Sequence, residues 1–174
     1  MSNLRLLNES NISSTVSTFS ITNIFTTDFD VYKMVFSDFT TDTTSQVFSG
    51  RFIDSADNVI SEDSLYDYAV YEMKSNGSFG EDRGVSQNNM QSIIGRMGDK
   101  DDSMGCILYI YLPTNTQTFT FVTSEFSGLS GGNARQFQGM FAYKKEVDVT
   151  GLQIINNNNN FTAGKIQTFG IRVD

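Results

Sequence analysis

Hydrophobic residues recur along this chain with a dominant spacing of two. In Tyr66–Lys74, Ala69, Tyr71 and Met73 fall on one face and Tyr66, Tyr68 and Val70 on the other. That pattern predicts a strand buried on both sides. In Asn115–Phe126, Phe119 and Phe121 point one way, with Thr118, Thr120 and Glu125 at or near the other. Met104–Leu112 (MGCILYIYL) is almost continuously apolar, short, and rich in Ile and Tyr, which predicts a central strand. Six more strands are expected, at Ser14–Ile21, Val31–Asp38, Gln46–Ile53, Gln136–Lys144, Val147–Ile155 and Lys165–Val173.

Turn residues punctuate these runs. Asp54–Asn58 (DSADN) and Ser75-Asn76-Gly77 read as hairpin loops, because Asn and Gly accept positive φ. The lone proline, Pro113, closes the apolar run at a strand end, where a missing N–H matters little. Gly128–Asn133 and the five asparagines Asn156–Asn160 read as loops. One segment departs from the period of two. Met90, Ile93, Ile94 and Met97 recur at helical spacing between Ser86 and Gly98, which predicts one short helix. Gly95 inside it weakens that helix by ~1 kcal/mol.

Nine strands, polar turns, no sustained repeat and no linker predict one domain over residues 1–174. The fold class expected is all-β, an antiparallel sandwich or barrel with at most one short helix. Residues 1–12 carry Leu4, Leu6 and Leu7 ahead of the first clear strand. They read either as an assembly arm or as a first strand of the same sheet. Tyr109 and Tyr111 share a strand face, and their amphipathic rings suit either the core or an interface.

Composition narrows the function. Fifteen Phe and seven Tyr supply core bulk in a chain only 39 % hydrophobic. Twelve basic against twenty acidic residues give a net charge of −8, with no basic run, so no nucleic acid is expected as a partner. No apolar stretch reaches the ~18 residues of a spanning helix, so no membrane insertion is expected. The start lacks a basic and apolar leader pattern, which points to synthesis in a cytoplasm.

No residue set suggests catalysis. The chain has no histidine, which removes Ser-His-Asp and Cys-His arrangements and imidazole metal ligation together. Asp28 with Asp30, and Glu62 with Asp63, could pair as glycosidase carboxylates, but no Trp is present to stack on a sugar. Asp28 and Asp30 read instead as solvated residues flanking an inward Phe29. Cys106 sits in the apolar strand and reads as a buried, inert thiol. Asp99, Asp101 and Ser103 alternate like the start of a calcium loop, but Gly105 falls one residue late and Ile110 stands where the closing Glu belongs. No catalytic residue, metal ligand or cofactor is therefore expected. Asn8, Asn11, Asn76 and Asn160 begin N-x-S/T triplets that arise by chance in so polar a chain.

Both ends carry a resemblance. Leu4-Arg5-Leu6 followed by Val16–Lys33 (VSTFSITNIFTTDFDVYK) resembles small virion structural proteins of tailed bacteriophages, particularly those of marine cyanobacteria. Phe161–Ile171 (FTAGKIQTFGI) resembles the C-termini of phage decoration and fibre domains, where aromatic-Gly pairs end the last strand. The resemblance implies a jelly-roll sandwich displayed in many copies on the virion, often as a trimer. It implies a capsid decoration or cement protein, or alternatively a tail or head fibre tip, with other virion proteins as partners. Leu4, Leu6, Leu7, Tyr109 and Tyr111 are the expected partner contacts. Asn156, Asn157, Asn158, Asn159 and Asn160 are the expected exposed-loop contact. In the pairs Phe79-Gly80 and Phe169-Gly170, Gly is expected to admit a neighbouring backbone while the ring fills the core.

Overall fold

The computed structural model describes residues 3–44, 46–97, 104–130 and 132–172. It contains twelve strands: β1 (Leu4–Ile12), β2 (Thr18–Ile21), β3 (Val31–Thr41), β4 (Gln46–Asp54), β5 (Tyr66–Lys74), β6 (Phe79–Gln87), β7 (Met90–Met97), β8 (Met104–Tyr111), β9 (Thr120–Ser130), β10 (Asn133–Tyr143), β11 (Val149–Asn156) and β12 (Phe161–Ile171). Among the described residues there is no helix. The strands form two antiparallel sheets, β1-β12-β3-β8-β9-β10-β5-β6 and β2-β11-β4-β7.

The order of pairing explains the fold. β1 pairs with β12, β2 with β11, β3 with β8 and β4 with β7, all antiparallel. These pairs are nested in sequence, as in one long hairpin. Rolling that hairpin up joins β12 to β3 and β11 to β4, and gives the two four-stranded halves of a jelly roll. Two further hairpins, β5–β6 and β9–β10, are inserted between strands of the roll and widen only one of the sheets.

The expected helix is a strand. The spacing of Met90, Ile93 and Ile94 has a second physical solution, a kinked strand. Ser92 (φ 61) and Gly95 (φ 87) occupy the left-handed region. Five residue steps along β7, Gln91 to Arg96, oppose two along β4, Ser49 to Val47. This bulge turns both Ile93 and Ile94 inward, where they are fully buried. Gly95 is also required by space, since a Cβ there would lie 2.4 Å from the Phe126 ring. Gly128–Asn133 is also mostly strand: Asn133 pairs with Ser130, and only the tip of a β9–β10 hairpin lies between them. Residues 4–12 pair with β12 as an edge strand, β6 was not anticipated, and Asp99–Ser103 lies outside the described residues.

Aromatic rings fill the space between the sheets. Phe52 of β4 lies 6.5 Å from Phe25, 6.4 Å from Tyr66 and 5.6 Å from Tyr143. Phe25 packs in turn on Tyr32, and Tyr32 on Phe29. A second group joins Phe48, Phe161, Phe39 and Phe36. Two of the hydroxyls in the first group, those of Tyr66 and Tyr32, bond to nearby backbone. Tyr66 donates to the Ile60 carbonyl and accepts from the Phe52 N–H, both at 3.0 Å. Tyr32 donates to the Thr26 carbonyl at 2.6 Å. Beyond the roll, Arg96 of β7 pairs with Asp82 of β6, and Gln91 donates to the same carboxylate at 2.9 Å. The edge of the larger sheet is thereby tied to the edge of the smaller one.

Phe52→Ala should lower unfolding free energy by about 3–5 kcal/mol, because it leaves a cavity at the junction of three rings. Denaturant titration measures this. A loss below about 1 kcal/mol would show that the rings do not join the sheets.

Candidate functional site

The eight-stranded sheet has an inner face in the core and an outer face, and the outer face is where apolar residues gather. Two cross-strand rows run over it. The first is Leu4, Ile171, Val31, Tyr111, Phe121 and Ala142, each opposite the next. Two residues along lies the second, Leu6, Phe169, Lys33, Tyr109, Thr123, Met140 and Ala69. Lys33 is the one charged residue in these rows. Leu4 is 42 % exposed, Leu6 50 %, Phe121 46 % and Met140 61 %. Val85 of β6 joins Phe121, Met140 and Ala142 around a shallow apolar depression. From strand spacing the first row extends ~24 Å across the sheet, and the two rows cover roughly 300 Å².

The next row is mixed. Polar Gln167, Glu125 and Gln138 stand among Val35, Ile107 and Tyr71 across the strands, with the Tyr71 hydroxyl bonded to Gln138. At the β1 edge, Glu9 accepts from Gln167 at 2.7 Å and lies 3.1 Å from Lys165. Those two contacts hold its carboxyl below the usual carboxylate range. Apart from Lys33, charged and amide side chains therefore begin beyond the two apolar rows, interleaved with Val35 and Ile107.

At a few positions in this face the polarity is inverted, although the same strands also bury Val122, Phe126 and Ile166. On β9, Thr120 and Ser124 are buried while Phe121 is exposed. On β12, Thr168 is fully buried while its neighbour Phe169 points outward. The hydroxyls of Thr120 and Thr168 are buried without a hydrogen-bond partner. A strand selected only for its own core would place the phenylalanine inside and the threonine outside.

Four of the five residues expected as partner contacts, Leu4, Leu6, Tyr109 and Tyr111, stand together in these rows. Leu7 does not. The register shifts between Leu6 and Asn8, and Leu7 is partly buried against the core. Phe121, Met140, Phe169, Ile171 and Val85 were not among the expected contacts, and Phe169 was expected to fill the core. For Phe121 the signal was available, because it alternates with Thr120 and Thr118. The face of β5 bearing Ala69 and Tyr71 is also open, so this strand is buried on one side only. Phe79 is exposed and Phe169 half-exposed. Gly170 makes room not for backbone but for the Phe29 ring, 2.6 Å from where its Cβ would lie.

The asparagine run sits at the other end of β12, separated from Ile171 by the length of that strand. Its surface is smaller than expected. Asn156 ends β11 and is buried. Asn157 donates to Ser49 at 2.7 Å, Asn159 to Gln46 at 3.3 Å and Asn160 to Asp42 at 2.8 Å. These bonds tie the turn to the β3–β4 connection and pull the Asp42 carboxyl below its ordinary value. Asn157 and Asn158 remain exposed.

Phe29 is buried between exposed Asp28 and Asp30. Cys106 is buried in β8, and burial pushes its thiol pKa well up, away from thiolate reactivity. Among the described residues no group of three His, Cys, Asp or Glu side chains could hold a metal ion, and no helix is long and apolar enough to cross a membrane.

No protein-family model and no curated protein matches the sequence. Among solved structures the chain is similar to one described as the infectious bursal disease virus VP2 subviral particle, at 11 % identity and a TM-score of 0.17. The alignment covers 96 % of this chain and 41 % of that one, so the chain spans about two-fifths of the length of the viral protein. A score that low supports no conclusion about fold or function.

Thr168→Val should raise stability by about 1–3 kcal/mol, since it removes a buried hydroxyl that has no partner. Thermal or denaturant unfolding reads this. A loss of stability would mean that the hydroxyl is bonded and that the inversion of β12 has a structural cause.

Proposed function

We propose that this chain is a non-enzymatic structural protein of a phage virion, a decoration or cement protein made in the host cytoplasm. The outer face of its larger sheet is the contact between copies. The observation that carries this reading is the pair of apolar rows, with threonine and serine buried behind them. Apolar area left in water on one sheet face is stabilised by covering it, and a patch of a few hundred Å² is large enough to act as an interaction site. A second copy is the occupant that fits, because the face as a whole, roughly 1,000 Å² by strand spacing, matches the ~800 Å² per partner of a stable interface. Assembly as a homotrimer, attachment to other virion proteins, and the absence of nucleic-acid and membrane partners complete the proposal. The sequence resemblance at both chain ends supports the virion assignment, and the jelly roll is compatible with it while hosting many other functions. A receptor-contacting fibre tip is the weaker reading, because the asparagine turn bonds inward.

The purified chain should be oligomeric by light scattering. Phe121→Thr with Met140→Thr should weaken self-association at least about tenfold, while unfolding free energy shifts by no more than about 1 kcal/mol, because both side chains are exposed and Thr suits a strand. The same variant should lose attachment to particles. A monomeric wild type, or a double variant that assembles and attaches unchanged, would defeat the proposal.

A further inference from the structure

We propose that the cleft between the β4–β5 and β10–β11 connections binds a primary alkylammonium group. Asp54, Asn58, Glu62, Tyr143, Lys145 and Asp148 are among the residues that line it. Three carboxylates against one lysine make the wall acidic, and acidity alone would not identify a ligand. Two buried atoms do. Tyr143 has no exposed surface, and its hydroxyl has no hydrogen-bond partner. Its ring is held by Phe52 at 5.6 Å and Tyr66 at 5.2 Å. Asp148 Oδ1 is likewise buried and without a partner. The neighbouring groups are already used. Tyr66 is bonded on both sides. The Asp54 carboxylate accepts from the Ala56 N–H, the Asn58 N–H and Asn58 Nδ2. Burial first, and then the nearby Glu62 and Asp54 carboxylates, push the Tyr143 hydroxyl up to about 12.

The acceptors left unbonded in the wall of this cleft are thus a buried carboxylate oxygen and a buried phenol oxygen in a negative field. An ammonium group brings three donors and no acceptor, and it neutralises part of the charge. A divalent ion fits less well, because no three-ligand cluster exists among the described residues. Glu62, 3.6 Å from the Lys145 ammonium and more exposed than it, adds a carboxylate at the rim. The group could belong to a free amine or to a lysine side chain of another protein.

The test is an amide chemical-shift titration with n-butylammonium chloride, with n-butanol and sodium chloride as controls. Saturable shifts are expected at residues 54–62 and 143–148 with butylammonium alone. Asp148→Asn should weaken binding at least about tenfold, the scale of a hydrogen bond to a charged group. Tyr143→Phe should also weaken it without lowering the melting temperature, since the hydroxyl bonds nothing in the protein and its removal relieves a buried unpaired group. An Nα-acetyl-lysine amide that binds as well as butylammonium assigns the site to a protein partner, and binding of butylammonium alone assigns it to a small amine. Absence of saturable shifts, equal shifts with butanol, or unchanged affinity in Tyr143→Phe and in a folded Asp148→Asn would overturn the assignment.

Discussion

The aromatic contacts around Phe52 are the interaction on which the rest of the structure depends. The nested pairing of this chain joins residues from opposite ends of the sequence, Leu4 with Ile171 and Phe19 with Ile154. Closing such long loops is entropically unfavourable, and the ladder hydrogen bonds alone contribute little net free energy against it. What offsets the closure is apolar area buried between the sheets, and rings deliver the most area per residue. Phe52 comes from the smaller sheet, Tyr66 and Tyr143 from the added strands of the larger one, and Phe25 from the connection before β3. One side chain thus joins the roll, its insertion and a loop.

A filled inner layer determines what the outer face can be. Side chains alternate along a strand, so every inward ring fixes an outward neighbour. Where the inward residue is Tyr32 or Leu108, the outward ones are Lys33 and Tyr109. Where Thr168 and Thr120 go inside, Phe169 and Phe121 are left outside. The apolar rows are therefore not overflow from a crowded core, because the same strands bury threonine. The first runs from the edge strand β1 to β10 and the second from β1 to β5, and that continuity gives them the extent of an interface.

Much of this was legible in the sequence. The period of two gave the all-β class, and Ser75-Asn76-Gly77 marks a hairpin in which Gly77 takes φ 83. Leu4, Leu6, Tyr109 and Tyr111 stand out as contacts in the sequence without any sign that their strands share a sheet face. Their convergence was not legible, because it depends on β12 and β3 lying between β1 and β8, and no local signal encodes that order. β7 misled because a bulged strand with left-handed Ser92 and Gly95 can mimic helical spacing over eight residues. β6 was missed because its sequence, FGEDRGVSQ, is polar on both faces, as an edge strand tied down by Asp82 can be. The asparagine run looked exposed by composition. Its inward hydrogen bonds follow from Asp42, Gln46 and Ser49, which only the fold brings near.

The central claim is that the outer face of the larger sheet is covered when copies of this chain meet. Hydroxyl-radical footprinting read by mass spectrometry, across a range of protein concentrations, tests it most directly. Oxidation of Met140 and Phe121 should fall as the protein assembles, while Phe79, exposed at the far β6 edge and outside the two rows, keeps its reactivity. Constant oxidation of Met140 and Phe121 in a protein that has assembled would place the contact elsewhere and contradict the account.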